Sequence, residues 1–185
     1  MRIIGVDEVG RGSLAGPLVV GAVMLSANID GLKDSKLLTP KRREQLSEII
    51  KLRAEFIGLG WVSALDIDRL GLNRALSLAG ERALAELSID YDKIILDGSV
   101  NYLPPQFRVE TVIKADMSVA AVSAASIVAK VARDKFMHEL ARKIPNYGFE
   151  RNVGYGTAEH LKAIQTYGVS EQHRRSFEPI KSGYR

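Results

Sequence analysis

Five short apolar runs along the chain have the composition of β-strands. The first two are almost continuously apolar, which indicates strands that are buried on both faces. Gly58 and Gly60 interrupt the third run and are expected to weaken it. The five predicted strands span residues 2–6, 18–25, 55–62, 93–96 and 108–114.

Helical patterns fill most of the intervals between these runs. Thr39 is a good N-cap residue and Pro40 fits the first helical position, so a helix is predicted to begin there. Further helices are predicted over 66–87, with a break near Gly71, over 118–143 and over 157–167. A cluster of strands followed by alternating strands and helices predicts an α/β domain with a mixed sheet.

The composition limits the chemistry that such a domain can carry. The 185 residues are 46% hydrophobic, which suits one domain with a substantial core. The chain has no cysteine, which excludes disulfides, thiolate metal ligands and a cysteine nucleophile. A net charge of +4 is compatible with nucleic-acid binding without establishing it. With no signal-peptide pattern and no apolar run near the roughly 20 residues of a membrane span, a cytoplasmic protein without membrane contact is predicted.

Carboxylates lie at the ends of three strand-like runs. Asp7 and Glu8 follow the first, Asp97 follows the fourth and Asp116 follows the fifth. Sites in α/β sheets form outside the carboxyl ends of strands, so we expect one acidic pocket. Adjacent strand residues point to opposite faces, so Asp7 and Glu8 should share this pocket only where the chain bends, at the glycines of 10–12.

These four acids include no histidine, and an all-carboxylate site suits hard divalent cations such as magnesium or manganese. Two such ions are the arrangement used for in-line phosphodiester hydrolysis. A turn cap or a surface ion pair is the simpler interpretation for any single acid. It is a weaker interpretation for three acids at the ends of apolar strands.

Several other residues could bind a nucleic acid, although each has a simpler structural interpretation. Tyr155 lies between two glycines and could stack on a sugar or base, whereas a lone loop tyrosine more often packs. Lys36, Lys130 and Arg133 could bind phosphate or be solvated. The basic segment 173–177 is a weak nucleic-acid signal on its own.

Taken together, these residues resemble bacterial ribonuclease HII, a type 2 ribonuclease H. The Asp-Glu-Val-Gly-Arg-Gly motif at 7–12 is highly specific. The matching segments follow one another across nearly the whole chain, at 5–12, 15–17, 34–36, 96–98, 114–116, 123–126, 129–130, 133–134, 154–157 with His160, 173–174 and 176–177.

The resemblance implies a ribonuclease H-like fold, with a mixed five-stranded sheet flanked by helices. It implies a single catalytic domain over 1–185, with a core over about 1–143 and a C-terminal helical extension over about 144–185. The implied activity is endonucleolytic hydrolysis of RNA in RNA–DNA hybrids, and cleavage 5′ to single ribonucleotides embedded in duplex DNA. The ends would be 3′-hydroxyl and 5′-phosphate, as ribonucleotide excision in DNA replication and repair requires.

Family roles can be carried over by position. Asp7, Glu8, Asp97 and Asp116 would be catalytic and would hold two Mg²⁺ or Mn²⁺ ions. Gly10, Arg11 and Gly12 would touch the ribose 2′-hydroxyl and its phosphate through the main chain, and the 2′-hydroxyl is what distinguishes RNA from DNA. Tyr155 would stack on the sugar at the RNA–DNA junction, and Lys36 and Asn73 would contact the backbone.

The chain departs from the family at Val153, where a lysine is common, so one phosphate contact could be missing. Asp134 is interpreted as pairing on a helix surface, with a metal role as the alternative. His138 and His160 are interpreted as solvated or packed rather than catalytic.

Two other functional classes stay open. A non-catalytic basic nucleic-acid-binding module has no reason to gather carboxylates where a phosphate must bind. A junction resolvase on a related fold has no 2′-hydroxyl to read. A monomer is predicted, and a sliding clamp is left open as a partner because no clamp-binding motif is evident.

Overall fold

A computed structural model describes residues 1–32 and 38–183, which contain the predicted mixed sheet of five strands. The strands are β1 (Ile3–Val9), β2 (Leu18–Leu25), β3 (Ala54–Val62), β4 (Lys93–Asp97) and β5 (Val109–Val112). Their order is β3-β2-β1-β4-β5. Strand β2 is antiparallel to β1 and β3, and β4 is parallel to β1 and β5.

Strand β1 is longer than predicted. It runs to Val9 because its ladder with β2 continues past the apolar residues, with Asp7 opposite Gly21 and Glu8 opposite Val20. Both acids therefore lie within the strand, and the chain turns only at Gly10, whose φ is 83°.

The helices are α1 (Pro40–Arg53), α2 (Ala64–Leu70), α3 (Leu72–Ala83), α4 (Ala115–Ser118), α5 (Ala120–Lys143), α6 (Phe149–Asn152), α7 (Ala158–Tyr167) and α8 (Ile180–Gly183), and a 3₁₀ turn spans Pro145–Tyr147. The predicted start at Pro40 is confirmed, since the Thr39 hydroxyl accepts the Arg42 N–H. The predicted helical end at residue 87 is wrong, because α3 stops at Ala83. The four-residue helices were not predicted, since one turn is too short to show periodicity. Among the described residues, no helix has the length and apolar character that crossing a membrane requires.

Glycines and small residues bring one helix onto each face of the sheet. On one face, a Cβ at Gly5 would lie 2.1 Å from the backbone of Ala121 in α5. On the other, a Cβ at Gly58 would lie 1.7 Å from the Ala83 carbonyl of α3, and one at Gly60 would lie 1.8 Å from the Ala79 carbonyl. Gly58 and Gly60, which were expected to weaken β3, are thus the positions where α3 packs against the strand.

The last turns of α5 and the residues after it form a second hydrophobic cluster with the loop that follows β1. Its largest buried members include Met137, Tyr147, Phe149, Ile164 and Ile180, packed with Leu14. Backbone hydrogen bonds join the two segments, from Gly16 N–H to the Gln172 carbonyl and from Arg174 N–H to the Leu14 carbonyl, both at 2.8 Å. The C-terminal segment therefore supports the loop beside the acidic residues.

Candidate active site

Three carboxylates converge at the carboxyl ends of β1 and β4. One oxygen from each of Asp7, Asp97 and Asp116 lies within 4.8 Å of the other two. The parallel pairing of β1 with β4 places Val6 opposite Leu96, so the next residue of each strand is an acid at the same edge. The structure thus brings together three of the four acids that the sequence singled out.

Asp116 reaches this edge from helix α4 rather than from a strand. Lys114 adopts a left-handed conformation, with φ 58°, and turns the chain from β5 into α4. The following N–H, of Ala115, donates to Asp97 Oδ1 at 2.7 Å. This contact joins the end of β4 to the start of α4 and orients the Asp97 carboxylate.

Burial makes the acidic cluster electrostatically costly. Asp7 is 9% exposed, and burial raises its pKa from 3.8 to about 7. The negative charges of Glu8 and Asp97 contribute to this rise in the pKa, while hydrogen bonds from Ser126 and from the Glu8 N–H oppose it. A divalent cation would offset this cost. Close carboxylate oxygens from two buried acids and the half-buried Asp97 fit a hard cation such as Mg²⁺ or Mn²⁺.

Glu8 lies outside this group of three and has different partners. The Tyr102 hydroxyl donates to its Oε2 at 3.2 Å, and Arg11 Nη1 pairs with its Oε1 at 3.2 Å. Burial raises the pKa of Glu8, and the positive charge of Arg11 opposes that rise. Glu8 is therefore held between a phenol and a guanidinium.

Two pockets meet at Glu8 and Arg11. One, of about 390 Å³, is lined by Asp7, the turn 10–12, Ser126, Lys130 and Tyr155. The other, of about 490 Å³, is lined by Asp97, Asn73 and Tyr102. An extended ligand crossing Glu8 would meet both pockets and pass the carboxylates. Of the predicted substrate residues, Gly10, Arg11, Gly12 and Tyr155 line the first pocket and Asn73 the second, while Lys36 lies outside the described residues.

Two fully buried arginines hold the loop behind the first pocket. Arg133 donates to the carbonyls of Pro17 and Val153 at 2.9 Å and to the Ser13 hydroxyl at 2.9 Å. Arg174 donates to the Gly16 carbonyl at 2.9 Å and to the Arg11 carbonyl at 3.1 Å.

The interpretation of Arg133 as a phosphate ligand is therefore wrong, because carbonyl and hydroxyl oxygens of the fold occupy its donors. The interpretation of 173–174 as part of a nucleic-acid-binding segment is also wrong, since His173 and Arg174 are buried. Carbonyl partners distant in sequence leave no local signal by which these roles could have been found. Gly10 is required beside Arg133, because a Cβ there would lie 2.3 Å from Arg133 Nε.

The remaining predictions on nearby polar residues have clear outcomes. Asp134 pairs with Lys130 at 2.7 Å, as its interpretation on the helix surface requires. His160 is buried and His138 is exposed, which agrees with packed and solvated roles respectively. Val153 adopts a left-handed conformation with φ 42°, which is uncommon for a β-branched residue.

Comparison with known proteins gives a consistent result. A family model described as Ribonuclease HII matches residues 4–180. Ribonuclease HII of Geobacillus thermodenitrificans is 48% identical over 182 residues, which are 97% of this chain and 70% of that protein. Ribonuclease HII of Pelagibacter ubique is 45% identical over 185 residues, covering 97% of this chain and 98% of that protein. The crystal structure of ribonuclease H2 from Pyrococcus horikoshii superposes with a TM-score of 0.82 at 31% identity, over 98% of this chain and 96% of that one.

Proposed function

Since the chain belongs to the ribonuclease HII family and is a metal-dependent endoribonuclease, we propose that it cuts RNA–DNA hybrids and cuts 5′ to single ribonucleotides in duplex DNA. The products would carry 3′-hydroxyl and 5′-phosphate ends. The observation that carries this proposal is the convergence of Asp7, Asp97 and Asp116 beside a glycine-rich turn and Tyr155. Family membership argues against the non-catalytic binding module and the junction resolvase.

We propose that Asp7, Asp97 and Asp116 hold divalent cations, with Glu8, which lines the same pocket as Asp7, completing the set. Their close oxygens fit Mg²⁺ or Mn²⁺, and two bound ions would supply an activated water and stabilise charge on the leaving oxygen. The protein's own contribution is to fix the carboxylates. The Ala115 N–H holds Asp97, the Glu8 N–H holds Asp7 at 2.8 Å, and Tyr102 holds Glu8.

The turn 10–12 is proposed to read the ribose 2′-hydroxyl through its main chain. Gly12 has no atom of the described residues within 4 Å of the place where a Cβ would be, so that side of the turn is open to a close ligand. Arg174 binds the Arg11 carbonyl and fixes the peptide between Arg11 and Gly12. A nucleotide that approaches this peptide closely can be recognised by its 2′-hydroxyl, which DNA lacks.

Tyr155 is proposed to stack on the sugar at the RNA–DNA junction. Its ring borders the pocket that contains Asp7 and the turn 10–12, and the Arg133 guanidinium lies 5.5 Å from its centroid. This cation–π contact favours one placement of the ring. Asn73 and Lys36 are proposed to contact the substrate backbone. A monomeric state, a cytoplasmic location and a role in DNA repair stay predictions, and a sliding clamp stays open as a partner.

Cleavage of three matched duplexes tests the proposal: DNA with one ribonucleotide, DNA with one 2′-O-methyl ribonucleotide, and DNA alone. We expect a cut 5′ to the ribonucleotide with Mg²⁺ or Mn²⁺, no cut with chelator, and no cut in the other two duplexes. Cleavage of the all-DNA duplex at a comparable rate would contradict recognition of the 2′-hydroxyl.

A further inference from the structure

A buried chain of hydrogen bonds connects the C-terminal segment to the backbone of Tyr155. His160, in α7, is 0% exposed, and His173 is 2% exposed. Their Nε2 atoms are 3.0 Å apart. At one end, His160 Nδ1 lies 2.9 Å from the Tyr155 carbonyl oxygen, and at the other, the Ser170 N–H lies 3.0 Å from His173 Nδ1. Neither histidine lines the pocket of Asp7.

The two ends of this chain independently determine its direction. A carbonyl oxygen only accepts, so His160 Nδ1 carries a proton, and its Nε2 in the neutral ring must accept. A backbone N–H only donates, so His173 Nδ1 accepts and its Nε2 must donate. The two requirements agree at the central bond, where His173 Nε2–H donates to His160 Nε2.

The surroundings keep both rings neutral. Tyr147 and Phe149 surround them, with ring centroids 4.8 Å from His173 and 5.3 Å from His160 respectively. Burial lowers the pKa of His160, and burial together with the neighbouring His160 lowers the pKa of His173 to about 4. The nearby charges are Arg175, which lowers the pKa of His173, and Glu159, which raises that of His160. A second proton would place two donors against each other at the central bond.

The turn around Tyr155, where this chain of hydrogen bonds ends, is fixed from several sides. The Gly154 carbonyl accepts from Leu14 N–H at 2.8 Å, and Gly154 N–H donates to Asn152 Oδ1 at 2.8 Å. The Tyr155 carbonyl accepts from the Thr157 N–H at 2.8 Å as well as from His160. The histidine contact is the only one of these that depends on the segment after residue 168, so it couples that segment to the peptide that carries the Tyr155 ring.

We propose that His160 and His173 are positioning residues, which hold the peptide of Tyr155 so that its ring stacks on the sugar of a junction ribonucleotide. This inference rests on the proposed function. Through these residues the C-terminal segment contributes to substrate selectivity, although none of the residues 170–174 lines the pocket of Asp7. Selectivity is the ratio of kcat/KM on a one-ribonucleotide duplex to kcat/KM on a long RNA–DNA hybrid.

The test compares this ratio in His173→Phe, His173→Gln and the control His138→Gln, which changes an exposed histidine on α5. Phenylalanine keeps the ring volume and removes both nitrogens, so we expect the ratio to fall about tenfold, as for loss of one buried hydrogen bond. Glutamine can still place a donor near His160 Nε2 and should recover part of the ratio. His138→Gln should match the wild type.

A double variant separates positioning from general loss of structure. If His173 acts through Tyr155, the ratio for Tyr155→Ala with His173→Phe should equal the ratio for Tyr155→Ala alone, because there is no ring left to position. A ratio that falls further in the double variant would overturn the proposal. So would an equal loss on both substrates in His173→Phe.

Nitrogen-15 NMR of the wild-type imidazoles tests the chain of hydrogen bonds without any variant. We expect the Nδ1–H tautomer for His160 and the Nε2–H tautomer for His173, both neutral at pH 7. Any other tautomer pair would overturn the proposal, even if the variants do not fold. A wild type that leaves the one-ribonucleotide duplex uncut would instead refute the proposed function, and the NMR result would still decide whether the chain exists.

Discussion

Replacement of Asp7 by asparagine should stabilise the metal-free protein while abolishing cleavage. Asparagine has nearly the same shape as a protonated aspartate and carries no charge. The folded protein raises the pKa of this carboxyl from 3.8 to about 7 because it buries the group beside other acids. Each pKa unit corresponds to about 1.4 kcal/mol, so ionising Asp7 in the folded protein costs at most about 4 kcal/mol.

The sign follows from proton binding. Between pH 4 and 7 the folded protein keeps the proton that the unfolded chain has released, so the stability contributed by protonated Asp7 is present below pH 4 and is lost as pH rises through about 7. Asp7→Asn has no carboxyl to ionise at this position, so it does not lose this stability as pH rises. Its free energy of unfolding should therefore resemble that of the wild type at pH 4 and exceed it by up to about 4 kcal/mol at pH 8.

Urea unfolding in chelator, at several pH values, measures this difference. Asp90→Asn is the matched control, since Asp90 is exposed and its replacement should change stability by less than about 0.5 kcal/mol at every pH. Adding Mg²⁺ should stabilise the wild type and have little effect on Asp7→Asn, because only a folded metal site binds the ion. A difference between Asp7→Asn and wild type that does not widen from pH 4 to pH 8 would refute the reasoning.

Three further predictions concern stacking, acid stability and packing. Tyr155→Ala should lose about tenfold or more of its activity at a junction ribonucleotide and less on long hybrids, which parallel kinetics on the two substrates would show; equal losses would count against stacking. His173→Phe should remove part of the loss of stability that the wild type shows in acid. Neutral His173 contributes stability above pH 6.5 that is lost as pH falls toward its folded pKa of about 4. The difference in the free energy of unfolding should be about 3 kcal/mol in urea unfolding. If wild type and variant lose stability in parallel over that range, His173 is not the group responsible. Gly58→Ala should cost about 1–3 kcal/mol because its Cβ would overlap the Ala83 carbonyl, while Gly183→Ala, with open space around it, should be neutral in thermal unfolding; equal effects would contradict the packing of α3 on β3.

The acids at the carboxyl ends of apolar runs could be predicted because each follows its run directly in sequence, and sites in α/β sheets form at the carboxyl ends of strands. Parallel β1 and β4 necessarily present Asp7 and Asp97 at one edge. The length of β1 could not be predicted from polarity, since Glu8 is a poor strand residue that stays in the ladder opposite Val20.

The roles of Gly58 and Arg133 depend on partners far along the chain. Gly58 resembles a weak point in a strand until α3 is seen to pack on it. Arg133 resembles a solvated phosphate ligand, yet its donors are taken by Pro17 and by Val153. A single sequence contains no local signal for either contact, because tertiary packing creates both.

The central claim is that Asp7, Asp97 and Asp116 form a divalent-cation site, and titration of Mn²⁺ followed by electron paramagnetic resonance tests it most directly. Wild type, Asp97→Asn and the control Asp90→Asn would be titrated in parallel, with circular dichroism to establish that each is folded. We predict that wild type and Asp90→Asn bind Mn²⁺ alike, and that Asp97→Asn binds it at least about tenfold more weakly. Equal Mn²⁺ binding by folded Asp97→Asn and wild type would contradict the account.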